Sequence, residues 1–433
     1  MRRPNPALAA GLAATMLLSG IPAESVSAYG YPPGTHGCHG LEAQFAVATD
    51  LVVDVNSGWE LVATYHCAGD TTESAGSAAI VETSGVPASA SAVLANLTMV
   101  GGTTSGYITA DSCSSVRYKS QTKSNGNHVV SDAIANLSVV ALDVGRTFCI
   151  YNSAPVHLVA DVQGYFAPPA TGGQLFAATT PKRLLDTRTA PLSRPPAGSI
   201  TRIVTGAAAG TTAVLANLTM TGGVTAGYIT ADKCSTLFAG PQTKSNGNFS
   251  IDSSIANLSV VPVDADGSFC IYNEQPVHLI VDLQGSFAPS MPGGLKFTLA
   301  PYSADVRKLD TRGPDSSRPS AGSITRVVTG VAAGTSAVIV NLTMTGAPAG
   351  GYITADRCSA LIAGPQTKSN GNHQAVTPIA NLSVVPVDAD GSFCIYNEEP
   401  VDLIVDLLGS FSATGTQQFF PTTPTRALDT RSD

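Results

Sequence analysis

Seven histidines are the first residues to test for chemistry, because an imidazole is the commonest general base near neutral pH. Three copies of one repeat make up most of the chain, and no histidine recurs in all three. His157 and His278 give way to Asp402, and His128 and His373 give way to Phe249. There is no Gly-x-Ser-x-Gly elbow to raise a nucleophilic serine and no His-Glu-x-x-His pair to hold zinc on a helix. The spacing thus predicts no catalytic residue, no cofactor and a protein that is not an enzyme.

A second set of residues does recur at matched places. It comprises Asp186, Arg188, Asn217, Asn257 and Asp282, answered by Asp310, Arg312, Asn341, Asn381 and Asp406. Polar groups set in apolar strands must find partners or cost several kcal/mol. The expected outcome is an internal network, with Arg188 held bidentately by a carboxylate and the amides satisfying turn backbone. The functional alternative is a sugar or polyol site built from planar amides and a guanidinium. Tyr107, Tyr228 and Tyr352 after a glycine, and Tyr151, Tyr272 and Tyr396 beside a cysteine, are expected mainly to pack. Asp264-Ala-Asp266-Gly267 has too few carboxylates for a calcium loop and reads as a tight turn. His36, His39 and His66 flank Cys38 and Cys67, a local arrangement with the donors for zinc or copper but no counterpart elsewhere; no metal site is predicted.

What positions these residues is the repeat. Asn-Leu-Thr-Met recurs at Asn96, Asn217 and Asn341, Gly-Tyr-Ile-Thr-Ala-Asp at Gly106, Gly227 and Gly351, and Gln-Thr-Lys-Ser-Asn-Gly-Asn at Gln121, Gln242 and Gln366. Ile-Ala-Asn-Leu-Ser-Val-Val recurs at Ile134, Ile255 and Ile379. Each copy also reads as two related halves, each a pair of strands joined by a turn and closing on a cysteine. Short β-rich runs, such as the almost wholly apolar Ala213–Met220, alternate with Gly and Ser turns, and no long helical period follows residue 28. The expected fold is all-β: three tandem disulfide-stapled β-sandwich modules after a signal peptide. The boundaries are 1–28 for the signal peptide, 29–168 for an N-terminal cap with the first module, 169–291 for the second and 292–433 for the third.

The cysteines sharpen that division. Cys113 and Cys149, Cys234 and Cys270, and Cys358 and Cys394 stand 36 residues apart in each copy, leaving Cys38 to pair with Cys67. Leu-Asp-Thr-Arg recurs at Leu185, Leu309 and Leu428, the last near the C-terminus. It is expected to close each module, and Leu51–Asp54 reads as a degenerate copy at the front. An alternative has residues 419–431 completing a neighbouring molecule and building head-to-tail filaments.

Export follows from the first residues. Arg2 and Arg3 precede the apolar run Ala7–Leu18, and Ser25-Val26-Ser27-Ala28 supplies small residues for cleavage near Ala28. No later stretch is long enough for a membrane span. The net charge of −8 removes the basic footprint that nucleic acid would require. Charged residues at 12% are too few for a coiled coil or a charge-extended disordered chain.

At Leu-Asp-Thr-Arg, Ala-Asn-Leu-Thr/Ser and Val-Asp-Leu-Gln-Gly the sequence resembles a secreted β-module of extracellular proteins from high-GC Gram-positive bacteria, found in tandem or appended to secreted hydrolases. The resemblance spans about residues 45–431 and implies an accessory or surface role with no assigned chemistry. The first module lacks a clear Asp-Thr-Arg and no catalytic domain accompanies the repeats, so a hydrolase activity does not carry over. The expected function is non-catalytic, multivalent binding of an extracellular or cell-surface glycan or protein, with a structural or filament role as the alternative.

Overall fold

Strands alternate so that each repeat is divided between two sheets. A computed structural model of the chain describes residues 51–53, 61–63, 75–116, 121–300, 306–314 and 316–431. All of these belong to one compact unit, Phe45–Asp433. β1 (Leu51–Val53) and β2 (Leu61–Ala63) pair only with each other. The first repeat continues with β3 (Ala78–Glu82), β4 (Ala92–Val100), β5 (Gly106–Asp111), β6 (Gly126–His128), β7 (Ala133–Ala141), β8 (Thr147–Asn152) and β9 (His157–Ala167). The second holds β10 (Leu175–Asp186), β11 (Ser199–Val204), β12 (Ala213–Thr221), β13 (Gly227–Asp232), β14 (Gly247–Phe249), β15 (Ser254–Pro262), β16 (Ser268–Asn273) and β17 (His278–Ala288). The third holds β18 (Lys296–Leu299), β19 (Arg307–Asp310), β20 (Ile324–Val328), β21 (Thr335–Thr345), β22 (Gly351–Asp356), β23 (Gly371–His373), β24 (Ile379–Pro386), β25 (Ser392–Asn397), β26 (Asp402–Ser412) and β27 (Gln418–Asp429).

There is no α-helix among the described residues. Three inner sheets run β27-β9-β4-β7, β10-β17-β12-β15 and, with β18 and β19 sharing the edge, β26-β21-β24. Three outer sheets run β3-β8-β5-β6, β11-β16-β13-β14 and β20-β25-β22-β23. The half-repeats are therefore not hairpins. β12 pairs with β15 and β17, whereas β13 pairs with β14 and β16. Asp266-Gly267 does form a tight turn, with Gly267 at φ 75°, but the turn carries the chain from one sheet to the other.

The reason is burial. Along β12, Val214, Ala216, Leu218 and Met220 face the outer sheet of their own repeat, while Ala213 and Leu215 face a cluster shared by all three repeats. A strand covered on both faces reads as a continuous apolar run, as Ala213–Met220 does. The shared cluster is capped by phenylalanines that couple one inner sheet to the next. Phe166 lies 4.0 Å from Phe297, Phe176 4.2 Å from Phe411, and Phe287 4.5 Å from Phe419, centroid to centroid. Three independent β-sandwich modules are thus not what the chain builds. The six sheets of the repeats form a propeller-like, blade-by-blade arrangement, because each inner sheet needs its neighbours to cover its second face.

The Leu-Asp-Thr-Arg strand also departs from expectation. It opens a repeat instead of closing one: β10 pairs with β17 of the second repeat and β19 with β26 of the third. The third copy, β27, returns to the first repeat and pairs with β9, placing Phe419 opposite Phe166 and Arg426 opposite Asp161. The corresponding partners on β10 and β17 are Phe176 with Phe287 and Arg183 with Asp282. The C-terminal strand thus closes the ring within one chain, in the edge position expected for the Leu51–Asp54 segment. Glycine sets this contact. A Cβ on Gly285 would stand 2.3 Å from Phe176 Cζ and 2.9 Å from the Ala177 carbonyl, so only Gly admits the ring.

Disulfides join Cys113 to Cys149, Cys234 to Cys270 and Cys358 to Cys394, each on an outer sheet within one repeat. Three such bonds fit an oxidising, extracellular-type compartment. No helix among the described residues is long and apolar enough to cross a membrane. The segment expected to be a signal peptide, Cys38, Cys67, His36, His39 and His66 lie outside the described residues.

Candidate functional site

The repeated polar residues fall into two groups, and the structure separates them. The asparagines lie at the inter-repeat core. Asn217, Asn257 and Asn381 are fully buried and Asn341 nearly so. Strand alternation turns Asn96, Asn217 and Asn341 toward the neighbouring repeats. Asn257 Nδ2 donates to Asn96 Oδ1 at 3.0 Å, Asn381 Nδ2 to Asn217 Oδ1 at 2.9 Å, and Asn136 Nδ2 to Asn341 Oδ1 at 3.0 Å. The acceptor side is cyclic as well. The backbone N–H of Leu137 donates to Asn257, that of Leu258 to Asn381, and that of Leu382 to Asn136. Burial in this ring also removes the Asn-Leu-Thr sequons from any glycosylating enzyme.

The charged residues sit at the rims of the inner sheets. Arg183 reaches Asp282 through Nε at 2.6 Å and Nη2 at 3.1 Å, and donates to Asp186 through Nη1 at 2.9 Å. Arg188 grips Asp186 bidentately, at 2.9 and 2.7 Å. Arg307, Asp406, Asp310 and Arg312 repeat this pattern, and so do Arg426, Asp161, Asp429 and Arg431. The Arg312 and Arg431 guanidiniums hold Asp310 and Asp429 at about 2, and Arg188 holds Asp186 below its ordinary value. Burial wins at Asp282 and Asp406, whose carboxyls are pushed up despite Arg183 and Arg307.

Sequence reasoning did not single out Arg183, Arg307 and Arg426. Their signal was present, an arginine three residues before the aspartate in every copy of the strand. It also left the Gln-Thr-Lys-Ser-Asn-Gly-Asn turn without a role. Its lysines pair with the aspartates that end Gly-Tyr-Ile-Thr-Ala-Asp: Lys123 with Asp111, Lys244 with Asp232, and Lys368 with Asp356. Tyr228 braces the same turn, its hydroxyl accepting the Gln242 N–H at 2.9 Å. Tyr272 lies 6.2 Å from Tyr228, centroid to centroid, and is buried at the outer sheet, in keeping with a packing role. Asp264 takes the Ser235 backbone and hydroxyl, and Asp266 faces Arg202, as turn residues do.

Across the seams between repeats, the turn of one repeat faces the Asp-Thr-Arg rim of another. Between the first and second repeats this makes a cleft of about 230 Å³, lined by Asp161, Arg426 and Arg431 on one side and Tyr228, Lys244 and Asn248 on the other. Hydroxyl, amide, guanidinium and carboxylate groups meet there beside an aromatic ring. Among the described residues no group of three or more His, Cys, Asp or Glu converges as metal ligands.

No protein-family model matches the chain, and no curated protein does either. Solved structures overlap it only distantly. One concerns the triple jelly roll fold and turret assembly of an archaeal virus, at 9% identity over 86% of this chain and 91% of that one, with a TM-score of 0.18. A tandem CBM22-1–CBM22-2 domain from Paenibacillus barcinonensis Xyn10C shows 13% identity over 57% of this chain and all of its own (100%), with a TM-score of 0.16. The Sulfolobus turreted icosahedral virus shows 9% identity over 87% of this chain and 91% of that one, with a TM-score of 0.17. Overlaps this small leave the argument to the chain's own residues.

Proposed function

We propose that the protein is an exported, non-catalytic binding protein whose ligand is an extracellular or cell-surface glycan, taken up at the seams between repeats. The observation that carries this reading is the seam between the first and second repeats. There two sequence motifs about 180 residues apart, Gln242–Asn248 and Arg426–Arg431, face one another across an open polar cleft. The Arg431 guanidinium and the Lys244 ammonium line this cleft while each also holds its own carboxylate. Hydrogen-bonding groups beside a tyrosine are what a sugar's hydroxyls and ring face use. The three disulfides and the resemblance to secreted Gram-positive β-modules support placement outside the cell. Retention of the full chain on insoluble cell-wall polysaccharide, with release by soluble saccharide, is the expected result. Flow-through without retention would leave a rigid spacer as the better reading.

A further inference from the structure

The three seams share their residues but not their state. At the seam between the third and first repeats, Arg307 Nη2 reaches across to the Thr122 carbonyl at 2.5 Å. At the seam between the second and third, the Ser369 N–H leans on Asp282 at 3.4 Å. The side chains of Asp406 and Asp282 are accordingly 1% and 0% exposed. At the seam closed by the C-terminal strand, neither Arg426 nor Asp161 makes such a crossing bond among the described residues, and Asp161 and Arg426 are 8% and 33% exposed. Deeper in the first–second seam Asn96 Nδ2 still donates to the Ser245 carbonyl at 3.2 Å and Ser250 Oγ to Asp132 Oδ1 at 2.7 Å. What sets this seam apart is its rim, where the Arg–Asp pair stays uncrossed and more exposed than in the other two.

The charges of the open seam point to the kind of ligand. Each cation already has its carboxylate: Arg431 with Asp429, Arg426 with Asp161 and Asp429, and Lys244 with Asp232. The cleft therefore carries strong donors and acceptors side by side with little net field. An anion entering it would have to displace a carboxylate from a guanidinium. A vicinal diol would not, since one hydroxyl accepts from a guanidinium or ammonium while its neighbour donates to a carboxylate. Arg431 uses Nε and Nη2 on Asp429, which leaves the Nη1 hydrogens outside that fork. The volume of about 230 Å³ is below the roughly 300–1,000 Å³ of drug-sized pockets, so one sugar-sized unit of a longer chain would enter.

We infer that the chain holds a single carbohydrate site, between Arg431 and Asp161 of the closing strand pair and Lys244 and Tyr228 of the second repeat, selective for an uncharged saccharide. This rests on the glycan-binding reading above and narrows it from three equivalent sites to one.

The test is titration calorimetry on the full chain, using neutral glucose oligosaccharides and uronic-acid oligosaccharides of equal length. One neutral oligosaccharide per chain is expected, with weaker uptake of the uronic acid. Arg431→Ala should weaken binding at least tenfold, while Arg188→Ala and Arg312→Ala leave it unchanged. Thr243→Trp, which fills the cleft from an exposed position without breaking a charge pair, should abolish binding at an unchanged melting temperature. Three neutral saccharides per chain, or equal losses from all three arginine variants, would overturn the single site and leave the glycan reading intact. Preference for the uronic acid would overturn the ligand class alone. No heat with either probe, together with no retention on cell-wall polysaccharide, would remove both readings.

Discussion

The side-chain amide of Asn257 donates to Asn96 Oδ1 at 3.0 Å, joining residues 161 apart in the sequence and belonging to different repeats. Asn257 also donates to the Asn246 carbonyl at 2.6 Å and accepts the Leu137 N–H at 2.9 Å. Asn257→Ala would strand that buried N–H and the Asn96 acceptor together. The expected cost is about 3 kcal/mol, read from the urea midpoint. Asn136→Ala and Asn381→Ala should match it, since each occupies the same place in the ring. Pairs of these substitutions should be non-additive, because the first loss already loosens the cycle. Three independent effects below about 0.5 kcal/mol would mean that the asparagines fill space and hold nothing.

Phe419 tests ring closure. It lies against Phe166 at 5.5 Å and Phe287 at 4.5 Å, and its ring occupies the space above Gly164. Phe419→Ala should destabilise by about 3–5 kcal/mol, as large core truncations do. A chain ending before β27 should fare worse, since it exposes the backbone of β9 as an unpaired edge. Gel filtration of the truncated chain should show association or loss of the folded species. A monomeric, native-like elution would mean that the closing strand is dispensable.

The sequence carried the repeats, the all-β character and the spacing of the three described disulfides, because each is a local or periodic signal. It did not carry the sharing of the core. Whether Leu215 faces its own repeat or the next depends on strand pairing between residues far apart, and periodicity cannot show that. Asn217 and Asn257 could be picked out as polar residues in apolar strands, but their partners lie 152 and 161 residues away. The closing strand was ambiguous for the same reason. One motif that opens the second and third repeats also completes the first, and a linear reading treats its last copy as an ending. The paired role of Arg183 and Arg188 was half-legible: a bidentate hold of Arg188 on some carboxylate could be expected, but not that the carboxylate is Asp186 nor that Arg183 reaches Asp282.

The disulfides should report the repeats independently. Peptide mapping under non-reducing conditions is expected to join Cys113 with Cys149, Cys234 with Cys270 and Cys358 with Cys394, with no cross-repeat species from these six. Each closes a loop with a separation of 36 residues. Its loss should cost about 4 kcal/mol on the chain-entropy account. The Cys234→Ala/Cys270→Ala pair should therefore lower the denaturation midpoint clearly while leaving the elution volume of the chain unchanged. A midpoint that does not move would show that the unfolded chain gains nothing from release.

Acid stability separates the repeats by a single position. His128 and His373 are each 1% exposed, and among the described residues no side chain bonds either imidazole, the nearest polar neighbour of His373 being the Ala349 backbone. Phe249 occupies the same place in the second repeat, against Gly223 and Gly227. Burial pushes both histidines below their ordinary value, with the Ala349 backbone drawing His373 slightly back. An unfolded imidazole titrates near 6.5, so below that pH the unfolded chain takes up protons that the folded chain refuses. The stability they permit is complete above about pH 6.5 and falls as the solution is acidified, by at most about 1.4 kcal/mol per pH unit for each histidine. Asp282 and Asp406, pushed up by burial, act in the opposite sense, and His278, also lowered, keeps a share of the slope. The double variant His128→Phe/His373→Phe adopts the apolar solution of the second repeat. Between pH 6.5 and 5 its urea midpoint should fall distinctly less than that of the parent chain, the remainder being the share of His278. An acid slope as steep as the parent's after both substitutions would place the sensitive groups elsewhere.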